Sequence, residues 1–348
     1  MLGDAFRPER ETVPIFRYVS NKVRLPFRSG KRLLTRQLLV FQMIPNLELP
    51  SPAKINLFLD VIGKRDDHYH DIITVFEKID LCDRIGLTES DREDIEISSN
   101  ISELAADKDN LVYRACSLFK KTYGISKGVR IHVEKRIPIA AGLGGGSSNA
   151  AIVLKGLNKL WNLNISDNKL FDLGKKIGAD VPFFIFNYSF ALGTGRGDEI
   201  TPIKSDLEMW HVIISPPRRV LTKEIYQNIS LNLTEVRPDV KIIVRAIKNK
   251  DFKEIQKRLY NALEPVVNKK VTEISRARNF IEKMGFDAIK VSGSGPTIFV
   301  LTFKRKEAEE LKDKLVGSFV SDKSKEGWKI FVAKTLTNTS RTFGISVS

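Results

Sequence analysis

The chain has little of what redox and metal chemistry require. Its two cysteines, Cys82 and Cys116, share no C-x-x-C spacing, which excludes a disulfide framework and a structural zinc site and leaves both as small core residues. His68, His132 and His211 stand at no ligand spacing with one another or with acidic residues, so no metal centre is assigned. No segment approaches the run of about 18 apolar residues that a membrane span needs. Internal repeats and low-complexity tracts are also missing. What remains, 348 residues with 42% hydrophobic and 28% charged, is expected to be a soluble cytoplasmic protein with room for two compact domains.

Charge is abundant and uneven. Of the formal +15, residues 1–42 hold nine Lys/Arg against three acidic residues, a net +6, which leaves +9 for the rest. That balance attracts polyanions. It also raises a nucleic-acid-binding reading, but no helix-turn-helix, zinc or aromatic RNP signature accompanies the charge. Residues 1–42 lack the n-region, h-region and cleavage site of a secretory signal. They are expected to be a disordered basic arm or sequence upstream of the true start at Met43.

The richest stretch is Pro138-Ile139-Ala140-Ala141-Gly142-Leu143-Gly144-Gly145-Gly146-Ser147-Ser148-Asn149. Glycines let the backbone adopt positive φ and approach a ligand, while the helix expected at about 148–161 offers unpaired N–H groups and the positive end of its dipole. The loop reads as a phosphate cradle; a flexible turn or a tight helix contact is the other reading. No lysine follows the last glycine, and no G-x-G-x-x-G has an acidic residue about 20 positions later, which disfavours a P-loop nucleotidase and a dinucleotide-binding domain. The lysine must come from elsewhere.

Strands are expected at Leu49–Gly63, Ile72–Phe76, Ile95–Ile97 and Val129–Val133, and helices at 110–123, 148–161 and 167–177. A boundary falls near 200–210, giving segments 43–205 and 206–348. Beyond it come a strand at Trp210–Ile214, helices at 222–229, 237–249, 251–260 and 271–284, strands at 288–291 and 298–301, a helix at 305–315 and a strand at Lys329–Lys334. The pattern is α+β, closing with an antiparallel sheet backed by helices.

Lys54, at the start of the first strand, shares a face with Asn56. Asp180 lies at a helix-to-strand junction before Val181-Pro182-Phe183-Phe184-Ile185-Phe186. If the two meet, the lysine keeps the acid ionised and polarises a hydroxyl that the aspartate orients. Spacing alone leaves open a helix cap for Asp180 and a snorkelling surface charge for Lys54. Tyr69 and His70 offer a ring and a base-edge hydrogen bond, or merely an exposed turn. The glycines of Ser292-Gly293-Ser294-Gly295-Pro296-Thr297 form a second candidate phosphate loop.

PAKINLFLDVIGKRDDHYH at 52–70, IPIAAGLGGGSSNAA at 137–151 and SGSGPT at 292–297, with GADVPFF at 178–184, GRGDEI at 195–200 and NALEPVV at 261–267, resemble the family that groups galactose, homoserine, mevalonate and phosphomevalonate (GHMP) kinases. The resemblance covers about 47–335. It implies a two-domain fold with a ribosomal-protein-like ATP-binding first domain. The Tyr-His after the GKR turn points, within the family, to ATP-dependent phosphorylation of the 2-hydroxyl of 4-(cytidine 5'-diphospho)-2-C-methyl-D-erythritol, in the non-mevalonate route to isoprenoid precursors, rather than to another small-molecule kinase.

The resemblance further implies Lys54 and Asp180 as the catalytic pair. Pro138, Ala141, Gly142, Leu143, Gly144, Gly145, Gly146, Ser147 and Ser148 form the ATP loop, and Asn56, Tyr69, His70, Thr222 and Tyr226 serve the substrate. Gly293, Ser294 and Gly295 line the phosphate side. Mg2+ accompanies ATP, without an assigned carboxylate ligand. The partner is the small cytidyl diphosphate, with no specific nucleic acid and no membrane, and the chain is a monomer or weak homodimer. Three positions depart from the family pattern: His68 and Ala140 replace glycines, which requires negative φ there, and Ala262 replaces an acid.

Overall fold

The alternation of Ile55, Leu57, Leu59 and Val61 produces β1 (Leu47–Lys64), buried without a break from Ser51 to Val61. Ala53, Ile55, Leu57, Leu59 and Val61 enter apolar cores. Lys54 and Asn56, on the other face, look into a cleft. The computed structural model describes residues 45–106, 110–229, 237–320 and 327–337; the basic segment 1–42 and the expected start at Met43 lie outside them. Because β1 begins at Leu47, Lys54 is mid-strand rather than at its start.

β2 (His70–Ser90) runs antiparallel to β1 from His70 opposite Lys64 to Leu87 opposite Leu47. The expected Ile72–Phe76 is only its beginning. Glu77, Lys78, Asp80 and Asp83 break the apolar alternation, which hid its length. In the fold each has a partner: Glu77 takes His211 Nε2 at 2.9 Å and the Thr335 hydroxyl at 2.6 Å, Lys78 donates to Phe186 O, Asp80 accepts from the Lys334 N–H, and Asp83 binds Lys135.

β3 (Ile95–Ser99) lies parallel to β4 (Gly128–Glu134), which pairs with the far half of β2. The hairpin of β5 (Phe190–Thr194) and β6 (Glu199–Ile203), too short for the sequence pattern to announce, pairs with the near half. β8 (Tyr260–Asn261) adds to β1 in parallel. Helices Leu111–Tyr123, Gly145–Leu160, Asp167–Ile177 and Val181–Ile185 bury their apolar faces in a core shared with β2 and β4.

The second sheet, in order β11 (Lys329–Lys334), β7 (Trp210–Ser215), β10 (Ile298–Thr302) and β9 (Ile289–Val291), is antiparallel throughout. Helices Thr272–Lys283 and Arg305–Leu315 pack on it through Ile274, Ala277, Ile281, Ala308, Leu311 and Leu315. Its other face meets the first sheet in a common core of Ile55, Leu57, Val75, Ile213 and Phe299. The expected helix 271–284 is preceded by a separate helix, Glu264–Lys270, whose Pro265 sits in the first turn where its missing N–H costs nothing.

Two local expectations fail. His68 and Ala140 have φ of 64° and 51°, not negative values. The left-handed conformation costs a non-glycine residue about 1–2 kcal/mol, and neither side chain is β-branched, so a single such residue in a turn is affordable. His68 closes its turn by donating its N–H to Arg65 O. Asp180 leads not into a strand but into the short helix Val181–Ile185; the five apolar residues are buried all round, which periodicity alone cannot distinguish from a strand.

Candidate active site

A single cleft of about 1270 Å³ is lined by the expected site residues other than Ser148 and Gly295. In its wall Lys54 Nζ lies 3.5 Å from Asp180 Oδ2, with the lysine side chain 5% exposed and the aspartate 33%. Lys54 is therefore no surface charge. Asp180 occupies an N-cap position yet makes no capping hydrogen bond, so its carboxylate remains available to the cleft. Lys54 Nζ also donates to Asn56 Oδ1 at 2.6 Å, Asn56 Nδ2 donates to Thr74 Oγ1 at 2.7 Å, and the Thr74 hydroxyl donates to Phe58 O at 2.7 Å. This relay fixes which way the buried amide faces. Thr74 was invisible in the sequence because its partner stands 18 positions away.

The two glycine loops lean on each other beside this pair. Gly142, at φ 78°, has no room for a side chain: a Cβ would stand 2.0 Å from Ser292 O. Ser292 Oγ donates to Gly142 O, and Thr297 N–H to Ala141 O. At Gly144, φ 66°, a Cβ would meet Lys54 Cγ at 2.9 Å, and Lys54 N–H donates to Leu143 O. The tight-contact reading of the loop therefore holds at Gly142 and Gly144. Helix Gly145–Leu160 starts from Gly144, and the N–H groups of its first turn precede any intrahelical acceptor.

Pro138, Ala141, Gly142, Leu143, Gly144, Gly145, Gly146 and Ser147 line the cleft. Ser148 does not: it is fully buried, its hydroxyl pairs with Ser51 Oγ at 2.8 Å and its N–H is spent on Gly144 O. By the fourth helical residue the first intrahelical bond has formed, which removes Ser148 from the expected loop contacts. Gly295 likewise stays off the wall, facing Val267 and Val291, whereas Gly293 and Ser294 line it.

On one side of Lys54 and Asp180 the cleft is walled by Tyr69, His70, Thr222 and Tyr226. The His70 and Tyr226 rings lie 5.2 Å apart, and Thr222 Oγ1 meets Ser294 Oγ at 2.9 Å. His70 is a partly buried ring rather than an exposed turn residue. Burial, and then the nearby Lys64, hold its imidazole below the usual 6.5. Burial, reinforced by Asp180, pushes the Tyr226 phenol up, so it stays protonated.

On the other side the same cleft continues between Ile97, Leu104, Leu111 and Val133, with Ser99, Asn110 and Lys135. Sequence reasoning missed this end. Lys135 stands just before the glycine loop in the chain, but its partners are remote: Asp83, and Asn149 Oδ1 at 3.2 Å. Asn149 in turn donates to Ser51 and Asp83. Burial pushes the Lys135 ammonium down against the opposing pull of Asp83.

Among the described residues lining the cleft, Asp180 is the lone carboxylate, against Lys54, Lys64, Lys135, Arg196 and Lys223. Such a surface takes polyanions. It offers no set of three or more metal-ligating side chains, which fits a hard divalent cation delivered on phosphate oxygens better than a dedicated protein cage. Both cysteines lie away from the cleft, their thiols pushed up to about 12 by burial.

Residues 110–188 match the GHMP kinases N terminal domain, and residues 243–321 match GHMP kinases C terminal. The 4-diphosphocytidyl-2-C-methyl-D-erythritol kinase of Geobacillus kaustophilus (strain HTA426) is 46% identical over 256 residues, 73% of this chain and 88% of that protein. The kinase of the same name from Bacillus subtilis (strain 168) is 42% identical over 267 residues, 77% and 92% of the two chains. A crystal structure of 4-(cytidine 5'-diphospho)-2C-methyl-D-erythritol kinase matches with a TM-score of 0.68 at 30% identity, covering 82% of this chain and 98% of that one. A homoserine kinase from Cytophaga hutchinsonii ATCC 33406 matches with a TM-score of 0.66 at 18% identity, over 84% and 96%, a likeness of fold.

Proposed function

The chain belongs to the GHMP kinase family, on the branch of the 4-diphosphocytidyl-2-C-methyl-D-erythritol kinases, and we propose that its cleft moves the terminal phosphoryl of ATP to the 2-hydroxyl of that substrate with Lys54 and Asp180 at the reacting atoms. The observation that carries this reading is the 3.5 Å pair lining one cleft with the glycine loops and with the Tyr69, His70 and Tyr226 rings. Asp180 orients the acceptor hydroxyl and takes its proton. Lys54 neutralises charge on the transferring phosphoryl oxygens, the chief demand of this reaction. Asn56, held by Lys54 and Thr74, contacts the polyol.

The cradle from Gly142 to Ser147 takes the ATP phosphates through backbone N–H groups, with Gly293 and Ser294 opposite. The apolar end at Ile97, Leu104 and Leu111 suits the adenine. Magnesium bound to ATP would lower the charge of its phosphates, and Asp180, the one carboxylate among the described residues lining the cleft, would be the protein group available to hold it. Tyr69, His70 and Tyr226 hold the cytosine, and the half-chain 206–348 supplies Thr222, Tyr226 and the second glycine loop to an ATP-binding part made by 43–205. No helix among the described residues is long and apolar enough to cross a membrane. Two soluble, highly charged substrates favour work in the cytoplasm, by a monomer or weak homodimer.

A coupled ADP-release assay tests the reading. Turnover with the cytidyl diphosphate is expected to exceed that with mevalonate, homoserine or galactose by orders of magnitude. Comparable turnover on one of those three refutes it.

A further inference from the structure

The GRGDEI segment has no part in the chemistry just described, yet it returns to the cleft. It forms the turn between β5 and β6, with Gly195 and Gly197 at φ 64° and 89°. That turn carries the Arg196 guanidinium onto the face of Tyr69, with Cζ 5.0 Å from the ring centroid. Arg196 is itself anchored: its Nε and Nη2 donate to Asp198 Oδ2 at 3.2 and 2.6 Å, and the Asp198 side chain is 8% exposed. The contact is strapped at its base, since Ile72 N–H donates to Gly195 O at 2.8 Å and Arg65 N–H to Tyr69 O at 2.9 Å.

Tyr69 needs such a support. It is 53% exposed, and a ring so open would otherwise sample several rotamers, at an entropic cost to any ligand that must order it. With a guanidinium on one face, the ring stands fixed and presents the other. A cation stacks favourably on the negative face of an aromatic ring, and arginine does so while its fork is engaged edge-on by a carboxylate.

We propose that Arg196, locked by Asp198, is a positioning residue for the cytidyl substrate: it holds Tyr69 upright so that the free face of the ring receives the cytosine. This rests on the reading that puts the base at Tyr69 and His70. Arg196 acts through Tyr69 and not on the reacting atoms, so it governs recognition of one substrate and leaves the transfer step alone.

The test is a double-mutant cycle on the full-length enzyme with Arg196→Ala, Tyr69→Ala and the pair, beside His70→Ala. Arg196→Ala is expected to raise the KM for the cytidyl diphosphate by about twofold to thirtyfold, the span of guanidinium–ring contacts from exposed to desolvated, with kcat and the KM for ATP unchanged. In the Tyr69→Ala background the same substitution is expected to do nothing further. Arg196→Met, which keeps the stem, serves as a second variant should Arg196→Ala fail to fold, with the same expectation. An equal effect with and without Tyr69 would overturn the proposal, because Arg196 would then act directly on the diphosphate. An unchanged KM in Arg196→Ala while His70→Ala raises it would also overturn it and leave the base pocket intact. No response in any of the three single variants would instead sink the placement of the cytosine.

Discussion

Replacing Gly144 by alanine puts a methyl group where the structure has none to spare. Its φ of 66° costs an L-residue about 1–2 kcal/mol. The new Cβ would stand 2.9 Å from Lys54 Cγ and 3.1 Å from Lys54 Cε and Phe184 Cζ, and relieving such crowding in a packed site costs about 1–3 kcal/mol. Alanine recovers roughly 0.4–1 kcal/mol from the stiffer unfolded chain, so the net destabilisation is about 1–5 kcal/mol, a fall in Tm of roughly 1–7 °C for a chain of this size. Lys54 is the atom group that must yield, and a displacement on the order of 1 Å at reacting groups costs about 10²-fold in kcat. Gly146 is the internal control. Its φ is ordinary, and a Cβ there meets only Leu111 Cδ1 at 3.6 Å, so Gly146→Ala should leave Tm unchanged or raise it through about 0.5–1 kcal/mol of helix propensity. Thermal melts of both variants and the kcat of Gly144→Ala decide the matter. A wild-type melt and wild-type kcat in Gly144→Ala, or equal losses of stability in the two variants, would refute the contact of loop and lysine.

Asp180→Asn should lower kcat by about 10²–10⁴-fold, the usual worth of a positioned acid–base group, and Lys54→Ala by about 10²–10³-fold, that of one electrostatic stabiliser, while ATP still binds; nucleotide titration beside single-turnover rates separates the two effects. Thr74→Val should leave Asn56 Nδ2 and Phe58 O without their partner, a loss of about 1–3 kcal/mol for a buried unsatisfied group. Thr74→Ser should restore most of it, and equal melting temperatures for the valine and serine variants would show that the relay carries nothing. For His70, a folded-state pKa below 6.5 means the ring is neutral at pH 7. Protonation is then disfavoured in the fold, so the associated stability is complete above 6.5 and is lost as pH falls through the depressed value. The KM for the cytidyl substrate should be flat from pH 8 to 6.5 and rise below, with His70→Gln abolishing that limb; a limb that survives the substitution assigns it to another group.

The glycine loop, Lys54 with Asn56, the Tyr-His pair and the second glycine loop were legible in the chain because each is local. Backbone freedom and shared strand parity are properties of neighbouring residues, and the same locality revealed most helices. The length of β2 was not legible: Glu77, Lys78, Asp80 and Asp83 look like solvent-facing charges until the fold supplies His211, Phe186 O, Lys334 and Lys135. Nor was the apolar end at Leu104 and Leu111, since a hydrophobic side chain lining a cleft has the same sequence signature as one in a core. His68 and Ala140 misled in a different way, because a left-handed turn costs so little that surrounding structure can impose it on a side chain. The sequence by itself determined which groups could do chemistry, through residue type and short spacing. Tertiary structure alone decided which of them meet: Asp180 reaches Lys54 across 126 positions, and Arg196 reaches Tyr69 across 127, because such contacts are selected by the packing of whole sheets and no local preference records them.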